Sequence, residues 1–164
     1  ACSITTRTPR CRAPEMNWNE QRRWRDVREG DALPSVAFPL TVYRLVMAAG
    51  ANRDFNAIHH NTEHARSTGA PEMYANVMLL QGMWERAVRE YLGTAGVLHA
   101  IKGFRMKAFN TAGDTVTVLG QVERKWEENS AGPAQRHRVE IRIWSENGRG
   151  LSVGPGLVIA SLPY

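Results

Sequence analysis

The stretch from Asn52 to His64, NRDFNAIHHNTEH, gathers carboxylates, imidazoles and carboxamides around the apolar pair Ala57-Ile58. Three readings are open to it: a metal cluster, an acid–base pair, or a polar loop. His60 and His64 stand four apart with Glu63 between them, a spacing that sets two imidazoles on one side of a short helix, as metal ligands sit. No third ligand of matching spacing is evident, so they read as a helix-surface pair and no metal is expected. Asp54 and His59 combine a carboxylate with an imidazole, residue types that accept and release protons in general acid–base catalysis. Each also fits a structural part, Asp54 as a loop acid or helix cap and His59 as a partly buried histidine. The two share one pocket only if the loop between them is folded, and the Asn56 carboxamide can secure that fold through backbone hydrogen bonds.

The elements that must position this segment follow from periodicity and punctuation. A Gly30-Asp31 turn precedes a short strand around Val36 to Phe38, and Thr41 opens a helix as its N-cap, with Gly50 as its end. After the loop, NTEHARST reads as a short helix entered through Asn61 or Thr62 and closed by Gly69. Val77, Leu80, Trp84, Val88 and Tyr91 recur at helical spacing in the strongest helix of the chain, which Gly93 stops. Met78, Leu79 and Met83 make that helix apolar on more than one side, as for a helix wrapped by sheet. Beyond Gly96 the period changes. VLHAIKGFRMKAF, DTVTVLGQVERKWE, RHRVEIRIWSE and LSVGPGLVIASLP read as strands separated by turns at Asn110 to Asp114, at NSAGPAQ and at Asn147-Gly148. The predicted class is α+β, a curved antiparallel sheet wrapped around a long central helix, which is the hot-dog architecture. Trp84 and Tyr91 are core by default, and Trp126 and Trp144 read as sheet-packing residues.

Composition limits what such a domain does. With 164 residues there is enough chain for one core without disulfide or metal staples. No apolar run approaches the roughly 20 residues of a membrane span, and the first residues lack the apolar core of a secretory signal. Cys2 and Cys11 lie near the start without zinc-finger partners, which points to a reduced, cytoplasmic protein. The net charge of +5 is concentrated at the N-terminus, where Arg7, Arg10, Arg12, Arg22, Arg23, Arg25 and Arg28 outnumber Glu15, Glu20 and Asp26. Residues 1–27 therefore read as a basic, extended arm and 28–164 as a single, nearly neutral domain. A basic arm without interleaved aromatic residues is no nucleic-acid signature.

Residues 28 to 163 resemble the MaoC-like (R)-specific enoyl-CoA hydratases and acyl dehydratases. That family's signature is Asp-X-Asn-Pro-X-His, a short helix, a Gly, and an Ala-His-Gly-Met turn into the central helix. This chain has Asp54-Phe55-Asn56-Ala57-Ile58-His59, then EHARSTGA, then Ala75-Asn76-Val77-Met78, and Gly69 to Met78 aligns without a gap. FRMKAFNTAGDTVTVLGQV is similar to the family's strand, turn and Gly-Asp-Thr strand, and VIASLP to its last strand. The resemblance implies that Asp54 and His59 are the catalytic dyad and that the Val77 backbone N–H takes the oxyanion-donor position. Ala57 stands in place of the usual proline, which loosens the loop. Asn76-Val77 replaces His-Gly, which keeps a backbone donor but reshapes the acyl pocket.

Such residues suit hydration of a trans-2-enoyl-CoA to the (R)-3-hydroxyacyl-CoA, the stereochemistry being implied by the resemblance alone. Asp54 and His59 would hold one water and pass protons, and the start of an apolar helix offers unpaired N–H groups to an enolate oxygen. The central helix and inner strand faces are expected to line an acyl tunnel, with Asn76, Met78 and Trp84 beside the substrate. Arg105 first, then Lys102 and Lys107, are candidates for the phosphates of coenzyme A, which enters as part of the substrate and not as a cofactor. Rival readings are a hot-dog acyl-CoA thioesterase and a non-catalytic acyl-CoA-binding subunit. A homodimer, or a heterodimer with a related hot-dog subunit, is expected. Neither the acyl group nor the choice between coenzyme A and acyl carrier protein is legible in the chain.

Overall fold

The computed structural model describes residues 20–164, so Cys2, Cys11 and the rest of residues 1–19 lie outside the described part. Residues 20–27, assigned by sequence to the arm, instead pack on the domain. Val27 is fully buried, and the Trp24 backbone and indole N–H groups donate to the carbonyls of Pro163 at 2.8 Å and Arg138 at 3.0 Å. Arg22 lies over the Tyr91 ring at 4.2 Å. Trp24 and Val27 carry apolar surface that is stabilised by leaving water, and this outweighs the basic character from which an arm was read.

Strand alternation builds the sheet. The strands β1 (Val36–Pro39), β2 (Val97–Lys102), β3 (Thr115–Glu127), β4 (His137–Asn147) and β5 (Gly150–Ser161) form one antiparallel sheet in the order β1-β3-β4-β5-β2. Val116, Val118 and Val122 of β3 and Val139, Ile141 and Ile143 of β4 point to one buried face, as the period of two requires. The intervening residues of β4, Arg142 and Trp144 among them, face outward, so Trp144 is a sheet residue on the solvent side. The segment GFRMKAF does not continue β2. After Lys102 it bends and then lies along β5 through a bridge, Met106 to Val153, with the Lys107 and Ala108 N–H groups donating to the Ser152 carbonyl at 2.8 and 3.2 Å.

Three helices accompany the sheet: α1 (Val42–Ala51), α2 (Thr62–Ser67) and α3 (Val77–Leu92). Each N-terminus is capped by a side-chain oxygen on a residue three ahead: Thr41 on Arg44 N–H, Asn61 on His64 N–H, Asn76 on Leu79 N–H. Gly93, at φ of 85°, ends α3 where an L side chain is disfavoured. α1 runs through the expected stop at Gly50 to Ala51.

The sheet covers α3 on one face only. Leu80, Met83, Trp84, Ala87, Val88, Tyr91 and Leu92 are buried, while Val77 and Met78 stay exposed and Glu85, Arg86 and Arg89 lie on the open side. The helix is amphipathic and not apolar all round, because Met78 and Leu79 fall outside the buried stripe. The stripe is tightly filled. A Cβ on Gly156 would stand 2.5 Å from the Lys102 carbonyl and 3.0 Å from the Trp84 ring, so only glycine lets β5 approach that indole.

Candidate active site

The end of α1 aims the segment. Arg53 takes a left-handed φ of 55°, which closes the helix, and the Asp54 N–H donates back to the Ala49 carbonyl at 2.9 Å. Asn56 then caps a 3-10 turn over Ala57–His59, its Oδ1 accepting the Ile58 N–H at 3.2 Å. The turn folds the five-residue gap back on itself and brings His59 Nε2 to 3.1 Å from Asp54 Oδ2. His59 is 8% exposed and Asp54 37%, so the imidazole is walled in while the carboxylate meets the solvent side.

The opposite nitrogen fixes the proton inventory. His59 Nδ1 lies 2.8 Å from the Tyr74 carbonyl, which only accepts, so Nδ1 carries hydrogen and donates. Nε2 then faces a carboxylate oxygen at hydrogen-bond distance. A proton between Nε2 and Oδ2 would make that contact a hydrogen bond, and the pair would then offer one acid and one base.

The start of α3 is tied to the same loop. The Tyr74 N–H donates to the Ile58 carbonyl at 3.3 Å, and Asn52 Nδ2 lies 3.5 Å from Asn76 Oδ1. Asn76, predicted beside the substrate, is 4% exposed and serves as the helix cap; its Nδ2 is buried with no protein partner. Val77 and Met78 are 42% and 58% exposed at that helix start. Trp84, also predicted beside the substrate, is fully buried, donates to Ser145 Oγ at 2.7 Å and packs on Phe104 at 4.8 Å. It is a core residue, and the expected tunnel between α3 and the sheet is filled by its side chain and its neighbours.

Open space lies elsewhere. A pocket of about 200 Å3 is bounded by Tyr74, Ala75 and the segment Met106 to Asn110. It adjoins the dyad through Tyr74, whose ring meets His59 edge-on at 5.4 Å and Phe109 at 4.9 Å. Of the three cations proposed for phosphate, Lys107 lines this pocket, whereas Lys102 and Arg105 are exposed along the connection that leads to it. His60 caps the 3-10 turn and reaches the Phe55 carbonyl at 3.3 Å, outside α2, so it and His64 do not share a helix face.

Sequence reasoning did not find Tyr74, Phe109 or Asn110. Tyr74 acts on His59 through a backbone carbonyl, which no residue type announces. The run of polar residues at 110–111, next to the Gly-Asp-Thr turn, was the available signal for Asn110.

Comparisons with known proteins bear on the fold. No protein-family model matches the chain. A curated relative, the 3-oxo-4,17-pregnadiene-20-carboxyl-CoA hydratase beta subunit of Mycobacterium tuberculosis, is 32% identical over 78 residues. That match takes in 48% of this chain and spans 60% of the relative's length. Among solved structures, the ChsH1-ChsH2 complex from Mycobacterium tuberculosis superposes with a TM-score of 0.72 at 25% identity, over 82% of this chain and 98% of the solved one. R-hydratase PhaJ1 from Pseudomonas aeruginosa gives 0.74 at 20% identity, over 86% and 85%. A MaoC-like dehydratase gives 0.73 at 23%, over 87% and 42%. At the lower identities the likeness is one of fold.

Proposed function

The chain has the MaoC-like hot-dog fold, and from that premise we propose that it is a hydro-lyase that adds water reversibly to a trans-2-enoyl-CoA, giving the (R)-3-hydroxyacyl-CoA. The observation that carries the reading is the His59–Asp54 contact at 3.1 Å, held from behind by the Tyr74 carbonyl, and the reaction starts with one proton on that pair. A water bound to both groups loses a proton to the basic partner as its oxygen bonds to C3. The C2–C3 electron pair shifts toward the thioester oxygen, and C2 then takes the proton from the acidic partner. The dyad ends with one proton, as it began. The Val77 N–H, at the positive end of the α3 dipole, is the donor for the enolate oxygen, a contribution of roughly 2.7–4 kcal/mol where such donors have been removed elsewhere. Lys107 is the cation best placed for the carrier's phosphates.

The chain also fits half of a pair. Among the described residues β2 is a terminal strand with no partner on its outer edge, and Tyr43, Phe55 and Met78 expose apolar side chains in the single chain. The structural relative ChsH1-ChsH2 is a complex of two different chains, which favours pairing with a related hot-dog subunit. Native mass spectrometry is expected to give a dimer or, with such a subunit, a heteromer; a monomer in both samples would remove the pairing.

Catalysis is tested by the loss of enoyl-thioester absorbance with crotonyl-CoA and longer or branched enoyl-CoAs. Asp54→Asn and His59→Ala are each expected to lower turnover by roughly 10²–10⁴-fold with the fold retained. Wild-type turnover in both variants would remove the dyad from the mechanism.

A further inference from the structure

The carbonyl that orients His59 belongs to the short extended segment 73–75. Tyr74 turns its own N–H and C=O toward the 3-10 turn, to the Ile58 carbonyl at 3.3 Å and to His59 Nδ1 at 2.8 Å. Its neighbours turn the other way. The Ala75 N–H donates to the Asn110 carbonyl and the Ala112 N–H to the Met73 carbonyl, both at 2.9 Å, on either side of an antiparallel bridge between Tyr74 and Thr111. Extended backbone alternates its polar groups in this way, so residues 73–75 lie between the turn that carries His59 and the segment 110–112. A shift of that segment is passed to the Tyr74 carbonyl.

The segment 110–112 is fixed in turn from the β4–β5 hairpin. Asp114 Oδ2 accepts the Thr111 N–H at 2.7 Å and its hydroxyl at 2.8 Å. Arg149 spans the turn, donating to both carboxylate oxygens of Asp114 and, at 2.7 Å, to the Phe109 carbonyl. Asn147 adds bonds to the same carbonyl at 3.1 Å and to Asn110 Oδ1 at 3.0 Å. The bonds of Arg149 are charge-assisted and so the stronger ones, and its rigid fork joins two acceptors that a single ammonium does not bridge.

We propose that Arg149 is a positioning residue for the Asp54–His59 pair: by clamping Phe109 to Asp114 it holds segment 73–75 in place, and through the Tyr74 carbonyl it keeps the hydrogen on His59 Nδ1. None of its hydrogen bonds reaches His59 itself. The inference rests on the hydratase reading for its kinetic part, whereas the state of His59 is read without any substrate.

The full-length protein, isotope-labelled at its histidine nitrogens, is followed by NMR, which reports the hydrogen on His59 Nδ1 and its exchange with solvent. Arg149→Ala is expected to speed that exchange roughly tenfold, as loss of charged hydrogen bonds eases local opening. It should also lower hydration turnover by about 10–10²-fold, the effect of a small misplacement of a catalytic group. Arg149→Lys keeps the charge beside Asp114 but not the fork to Phe109, so it should fall between the two, and it carries the test if the alanine variant does not fold. Arg124→Ala is the control. It removes an arginine–carboxylate pair of the same kind, with Glu140 at 2.9 Å, outside this chain of bonds, and should move neither readout. His59 exchange that stays at the wild-type rate in the Arg149 variants overturns the proposal. So does equal acceleration by Arg124→Ala, the mark of general loosening. If exchange responds as expected while the wild type hydrates no enoyl-CoA, the clamp stands and the hydratase reading fails. Hydration with a His59 indifferent to Arg149 has the opposite meaning.

Discussion

Tyr74 meets His59 Nδ1 through its backbone carbonyl, an acceptor, and that group decides which nitrogen of His59 carries hydrogen. Asp54, Asn56 and His59 were legible as residue types at a given spacing, because the loop that joins them is local. Tyr74 and Asn110 were not, since their parts depend on neighbours brought from distant sequence. Arg149 is a further case. It pairs with Asp114 through both guanidinium nitrogens and donates to the Phe109 carbonyl at 2.7 Å, so it also steadies a wall of the pocket. Burial would raise the Asp114 pKa, but hydrogen bonds from Arg149 and from the Thr111 N–H and hydroxyl outweigh it and hold the carboxyl below its ordinary value of 3.8. A lowered folded-state pKa gives stability that is present above about pH 4 and is lost as the pH falls through the folded value. Arg149→Ala is therefore expected to cost about 1 kcal/mol, a fall in Tm of about 2–4 °C at pH 7. The gap from wild type should narrow below about pH 4, as followed by thermal unfolding across pH. A gap that widens on acidification would contradict the pairing.

The 3-10 turn over Ala57–His59 is the element on which the dyad geometry turns, and it is the one the sequence read as loop. Caps were legible in part: Thr41, Asn61 and Gly93 bound helices where their types demand, whereas Asn76, read as a substrate contact, caps α3. The single turn was not, because three residues give no period to read. Its first residue, Ala57, is compatible with proline. Asn56 already has the extended φ of −63° and ψ of 127° that a following proline requires, and the first position of a helical turn needs no N–H donor. Ala57→Pro should therefore stabilise the protein by about 0.4–1 kcal/mol through the unfolded chain, raising Tm by about 1–4 °C in a thermal melt. A drop in Tm would show that the loop conformation is held by something the turn geometry omits. The extent of β2 was misjudged for a related reason. GFRMKAF has strand-like residues, but past Lys102 it bends, keeps only a bridge and a few bonds to β5, and becomes the wall of a pocket.

At the scale of the whole molecule, alternation in β3 and β4 and the spacing of Leu80, Trp84, Val88 and Tyr91 were enough to give a curved sheet against one long helix. What they could not give is how the space between them is filled. Trp84 presses on the glycines of β5, so no tunnel runs between it and the sheet, and the pocket nearest the dyad lies at the end of α3, beside Tyr74 and the segment Met106 to Asn110. The N-terminal boundary was misplaced because Trp24 and Val27 dock on the body against a background of basic residues. The fold thus brings three things together: the Asp54–His59 contact, the start of α3, and a recess beside Tyr74. Their combined meaning is tested most directly by incubating the protein with enoyl-CoAs in deuterium oxide and weighing the products. Hydration predicts an intact thioester that has gained the elements of water and carries one deuterium on C2, a product that disappears in Asp54→Asn. Free coenzyme A thiol with the double bond unchanged would contradict the account.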